Sequence, residues 1–172
     1  DGDGKPTDPA DYTKTDDQVV FESGLSTGSN PNDDAIKVDS SFTIEALDGL
    51  DPDAAVSITY KDENGDEKTL EITKDDLEGL TPGTSQTITT QYGKLVIKGY
   101  DQDTDGTISI DYEYTLINAP EVPGESTNDD FSIKASDRDD DEDTKTLSIK
   151  IIDDAPTAKN DANEVTAADG DN

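Results

Sequence analysis

Apolar residues return at every second position along this chain, in short runs separated by Gly, Asp, Asn and Pro. An extended backbone points successive side chains to opposite sides, so this is the period of a strand with one face buried. The runs are Val19 and Phe21; Phe42, Ile44 and Ala46; Val56, Ile58 and Tyr60; Leu70 and Ile72; Ile88; Leu95 and Ile97; Ile108, Ile110, Tyr112, Tyr114 and Leu116; Phe131, Ile133 and Ala135; and Leu147, Ile149 and Ile151. They predict about nine strands. Asn64-Gly65 tolerates the positive φ of a type I′ turn and predicts a hairpin between the third and fourth runs. Thr73 to Leu80 opens with a cap-like Thr followed by acids and is stopped by Pro82 and Gly83, which predicts one helical turn and no other.

Short strands at regular spacing, with turn residues between them, predict an all-β fold: an antiparallel β-sandwich with at most one short helical turn. Tyr92, Tyr100, Tyr112 and Tyr114 are expected in its core or along its edge. Residues 1–17 and 155–172 lack apolar periodicity and read as linkers, leaving 18–154 as the domain.

Composition sharpens this picture by what it removes. Only 29% of the 172 residues are hydrophobic and 33% are charged, values that taken alone belong near the disordered class. Alternation sustained over so many segments is what disorder does not maintain. There is no Cys, His, Met or Trp, which excludes disulfides, zinc sites of the His/Cys kind, and thiol or imidazole catalysis. Nothing marks an acid pair as desolvated for glycosidase chemistry, so an enzyme is not expected. With 43 acids against 13 bases the formal charge is -30, which disfavours nucleic acid and membrane surfaces as partners. No apolar run approaches the roughly 20 residues of a membrane span, and the start lacks a basic-then-apolar signal. An export signal is therefore expected elsewhere in a longer protein.

The acids gather at strand ends. Asp101, Asp103 and Asp105 precede Gly106 in the manner of an EF-hand opening, although position twelve is Tyr112 rather than Glu and a strand follows, so a shorter D-x-D-x-D-G loop is the expectation. Asp137 to Asp143 holds six acids in seven residues. Two carboxylates about 4 Å apart repel by about 4 kcal/mol at an effective dielectric of about 20, a cost that a divalent cation removes. Oxygen is the only ligand type on offer, so the expected cofactor is Ca2+. If the last three strands alternate in direction, Asp101, Asp103 and Asp105 share one pole with Asp137 and Asp139. Asp153 and Asp154 fall at the other pole, where Glu22 can join them and Asp129 and Asp130 are weaker candidates.

Three strings, Val20-Phe21-Glu22-Ser23-Gly24-Leu25 with Gly28-Ser29, Asp111 to Leu116, and Leu147 to Asp154 followed by Ala155-Pro156-Thr157-Ala158, resemble the tandem repeat domains of giant bacterial adhesins secreted by the type I pathway, the RTX adhesins. Ala135-Ser136-Asp137 and Ile151 to Pro156 are also similar to cadherin junction elements. The resemblance implies an immunoglobulin-like or cadherin-like sandwich with calcium at its junctions. Its role would be that of an extender on the bacterial cell surface, holding out a ligand-binding region for adhesion or biofilm formation. The implied partners are neighbouring modules of the same chain, and the isolated domain is expected to be a monomer. The family's loop before the final strand carries Gly where this chain has Asp140. The alternative is a module that itself binds sugar or protein, or self-associates.

Overall fold

The computed structural model describes residues 18–46, 49–81, 83–120, 126–139 and 141–154. The expected linkers, the loop 121–125, Pro82 and Asp140 lie outside the described residues.

Among these residues nine strands form: β1 (Val19–Phe21), β2 (Lys37–Glu45), β3 (Val56–Lys61), β4 (Glu67–Ile72), β5 (Gln86–Thr89), β6 (Gly93–Gln102), β7 (Thr107–Leu116), β8 (Thr127–Ser136) and β9 (Glu142–Ile152). They build two sheets, ordered β1-β9-β8-β3-β4 and β2-β7-β6-β5, and the fold is an all-β sandwich. Among the described residues every pairing is antiparallel except that of β1 with β9, which runs parallel from Val19↔Lys150 to Phe21↔Ile152.

The core is the inward set of the alternation. Ile58, Phe131, Ile149, Ile97, Ile108 and Tyr114 are all fully enclosed between the sheets. Tyr114 of β7 meets Phe131 of β8 edge to face at 6.3 Å, joining the two layers through their quadrupoles. Burying aliphatic and aromatic side chains at about 1.5–3 kcal/mol each is what overrides a composition close to disorder.

Three local features differ from the sequence reading. β2 begins at Lys37, five residues before Phe42, because β7 is long enough to pair with all of it; Val38 is buried against Tyr114's side of the sheet. The β3–β4 connection is wider than a two-residue Asn-Gly turn. Asp62 N–H donates to the Asp66 carbonyl at 2.8 Å, the Gly65 N–H donates to the Asp62 carbonyl, and Gly65 takes a φ of +81°. The Asp62 carboxylate accepts from Asn64 and Asp66 N–H, bonds that hold its pKa below the usual carboxylate value. Helical structure is also slightly richer than expected: α1 (Lys74–Glu78) is joined by a 3-10 turn at Glu22–Gly24.

In α1, Thr73 Oγ1 accepts from Asp76 N–H while Asp76 accepts from Thr73 N–H, a reciprocal capping box. Thr73→Ala is expected to cost about 1 kcal/mol. Chemical denaturation would show it as a lower midpoint at constant slope.

Candidate functional site

The chain between β2 and β3 stitches the first pole together. Ala46 N–H donates to the Gly106 carbonyl in the β6–β7 turn, and Arg138 N–H in the β8–β9 turn donates to the Gly49 carbonyl. Leu50 forms an isolated bridge with Asp137. The two acidic turns therefore share one end of the sandwich, as strand parity requires. A notch of about 110 Å³ lies there, lined by Glu45, Asp137, Asp141, Glu142 and Asp143 among others.

Within that pole the acids are used unequally. Asp101 lies inside β6, opposite Ser109, rather than in the turn. A bulge between Ile97 and Gly99 shifts the alternation by one, so Tyr100 faces the core opposite Ile110 and Asp101 faces out. Asp103 opens the turn, its N–H bonded to the Thr107 carbonyl. Asp105 accepts from Thr107 N–H at 3.0 Å, and this bond holds its carboxyl below the ordinary range. Asp137 Oδ1 accepts from both Asp139 and Asp141 N–H at 3.0 Å, the same arrangement that Asp62 makes in the β3–β4 turn. Asp139 is exposed. Asp105 and Asp137 thus serve the backbone of their turns through one oxygen each.

The second pole is drier. The parallel pairing of β1 with β9 carries both strands to the same end, which sets Glu22 beside Asp153 and Asp154. Glu22 Oε2 accepts from Asp154 N–H at 3.3 Å. Asp154 accepts from Ser29 through both oxygens, from the N–H at 2.7 Å and the hydroxyl at 2.6 Å. Partial burial raises the Glu22 pKa, and a hydrogen bond with the Asp153 carboxyl, together with the charges of Asp153 and Asp154, raises it further against the opposing Asp154 N–H bond. Three half-buried carboxyl groups thus crowd one another here. The site therefore wants positive charge.

The loop 22–35 explains the glycines of the first family-like string. It turns back on its own start, with Asn30 N–H donating to the Ser23 carbonyl and Asn32 N–H to the Gly24 carbonyl. A Cβ on Gly28 would stand 2.4 Å from the Ser23 carbonyl oxygen and 2.6 Å from that of Glu22. Gly28→Ala must push the loop away and carry Ser29 off Asp154. The expected cost is about 1–3 kcal/mol, read as a lower melting temperature together with movement of the Ser29 amide resonance.

Among the described residues no three carboxylates stand ready to hold one ion, though the donors at both poles are all oxygen and suit a hard cation. Those that fit best are Glu22, Asp153 and Asp154, because they are half-buried and adjacent. Asp129 and Asp130 do not join them. They lie near the start of β8, where Asp129 points inward and Asp130 bonds Ser148.

Asp129 carries a feature that the acid pattern did not single out. It is 6% exposed, and its Oδ2 accepts from the hydroxyls of Thr90 and Tyr114, the latter at 2.8 Å. Thr90 and Tyr114 belong to the other sheet and its turn, so this carboxyl ties the two layers together. Tyr114 reaches it by crossing over Gly93, where a Cβ would stand 2.3 Å from the phenol oxygen. Burial raises the Asp129 pKa, and the two hydroxyl bonds offset only part of that rise. The Tyr114 phenol is raised far above its ordinary value, chiefly by burial and then by the Asp129 charge, so it remains a donor. The sequence did hold the signal: Asp129 shares parity with Phe131, Ile133 and Ala135.

Compared with family models, curated proteins and solved structures, the chain gives no match. Among the described residues no helix is long and apolar enough to cross a membrane.

Proposed function

We propose that this chain is a calcium-stabilised structural module of a large bacterial surface adhesin of the RTX type, one link in a tandem array that holds a ligand-binding region away from the cell. It has no catalytic role in this reading. The observation that carries the proposal is the gathering of Glu22, Asp153 and Asp154 where β9 leaves the sandwich, the place from which residues 155–172 continue.

Bound Ca2+ would be held there by Glu22, Asp153 and Asp154. At the opposite pole Asp101, Asp103, Asp105, Asp137 and Asp139 would supply a second acidic surface, with Asp105 and Asp137 also fixing their turns. The ion would supply the positive charge that three crowded carboxyl groups lack. Fixing β1, the 22–35 loop and the β9 exit to one another would set the direction in which the chain leaves, and repeated modules would then form a stiff rod. Extracellular calcium modules bind at about 0.1–1 mM, so the array would loosen in cytosol and stiffen outside.

The deciding measurement is the thermal transition of this chain in Ca2+ and in chelator, repeated for Glu22→Gln. A transition that ignores calcium removes the ion from the proposal.

A further inference from the structure

A cleft of about 530 Å³ opens at the second pole, on the opposite side of the five-stranded sheet from Glu22. Its origin is a parting of strands. β3 pairs with β8 only from Val56↔Ala135 to Thr59↔Ser132; beyond that point Tyr60 and Lys61 stay with β4, while residues 127–131 stay with β9. The gap is roofed by the β3–β4 turn and closed on its far side by Thr90, Gln91 and Tyr92 from the β5–β6 turn. The volume lies within the range of small-molecule sites, about 300–1,000 Å³.

The lining narrows the ligand class. Tyr60 and Tyr92 are half-buried against the core and border the cleft. An aromatic ring is the kind of apolar surface on which sugar C–H groups stack. Between them lie Asn128, Gln91 and Thr59, donors and acceptors in neutral form. At the floor, both hydrogen bonds to Asp129 fall on Oδ2, and among the described residues Oδ1 receives none, leaving a fixed acceptor on a side chain more than nine-tenths buried. Asp129, Asp130 and Glu67 outweigh Lys61, which with a net charge of -30 turns away anionic ligands. A peptide adding as a strand would find two free residues on β3 and five on β8, an edge that stops at Ser132 where β3 takes over. We infer that this cleft binds an uncharged saccharide of a few units, with Tyr60 and Tyr92 against the sugar faces and Asp129, Asn128 and Gln91 on its hydroxyls.

The test is a titration of the full chain, followed by backbone amide resonances, with uncharged trisaccharides of glucose in both linkages, of N-acetylglucosamine and of galactose. At least one sugar is expected to shift Gln91, Tyr92 and Asp130 together. Tyr92→Ala and Tyr60→Ala should each weaken that binding about tenfold, equivalent to about 1.4 kcal/mol, and Asn128→Ala, at an exposed position, should weaken it without changing the melting temperature. The inference is overturned if no sugar in the set moves those resonances at millimolar concentration, if the shifts map elsewhere, or if only an oligolysine peptide produces them. Titrating in Ca2+ and again in chelator separates this result from the calcium proposal, because the cleft uses none of the residues assigned to the ion.

Discussion

Asp129→Ala is expected to destabilise the domain by about 2–4 kcal/mol, the cost of leaving buried hydroxyls without their acceptor. Tyr114 and Thr90 would both lose their partner across the sandwich, and Thr90 would keep only its bond to the Gly93 carbonyl. Asp129→Asn should behave oppositely. The amide oxygen can still accept from both hydroxyls, and the substitution removes a charge whose burial raises the pKa of the native side chain. At neutral pH the Asn variant should equal or exceed the parent in stability. The signs of the pH dependence follow from linkage. A carboxyl whose folded pKa is raised holds more protons folded than unfolded in the window between 3.8 and its raised value, so stability falls as pH rises through that window and is recovered on acidification. Glu22 adds to the same trend from its ordinary value of 4.5 upward. Asp62 and Asp105 act the other way: their lowered pKa values give stability that is present above 3.8 and lost as pH falls through the folded values. The parent should therefore gain stability on mild acidification and lose it in strong acid. Asp129→Asn should show less of the gain. Denaturant midpoints across pH measure both arms, and an Asn variant as damaged as the Ala variant would show that the site requires the carboxylate itself.

Calcium should raise the melting temperature by about 4–8 °C for each ion bound. An ion with a dissociation constant of about 0.1–1 mM, present at about 10 mM, stabilises the folded state by about 1.4–2.7 kcal/mol, and for a domain of this size each kcal/mol shifts the transition by about 3 °C. Relief of repulsion among the acids adds to this at low ionic strength and fades as salt screens them. Glu22→Gln is expected to remove the part that belongs to the second pole. Because the Glu22 pKa is raised, Ca2+ and H+ compete there, and the calcium response should shrink as pH falls towards the raised Glu22 value. Calorimetry at two pH values reads this directly. An equal calcium shift in the parent and Glu22→Gln would move the ion to the turns of the first pole.

Alternation made the strands legible. Each run from Val19 to Ile151 became a strand or the end of one, because a side chain every second residue has to face either water or the other sheet. The cap at Thr73 was equally visible, since both its partners lie within four residues. Parity placed both acidic turns at one pole and the Asp153-Asp154 exit at the other for the same reason: it counts strand reversals and needs no contacts.

What the chain could not announce was anything set by the neighbour of a strand. β2 extends back to Lys37 because β7 is there to receive it, and Asp101 faces outward because a bulge two residues after Leu95 resets the count. The parallel seam of β1 on β9 unites Glu22 with residues more than 130 positions away. Local sequence determined which residues are extended and which side of each strand is apolar, since those choices depend on side-chain size, polarity and φ alone. The tertiary structure decided which carboxylates are dry, which crowd one another and which are spent on a turn, because desolvation and charge coupling depend on distances through space that no spacing along the chain specifies.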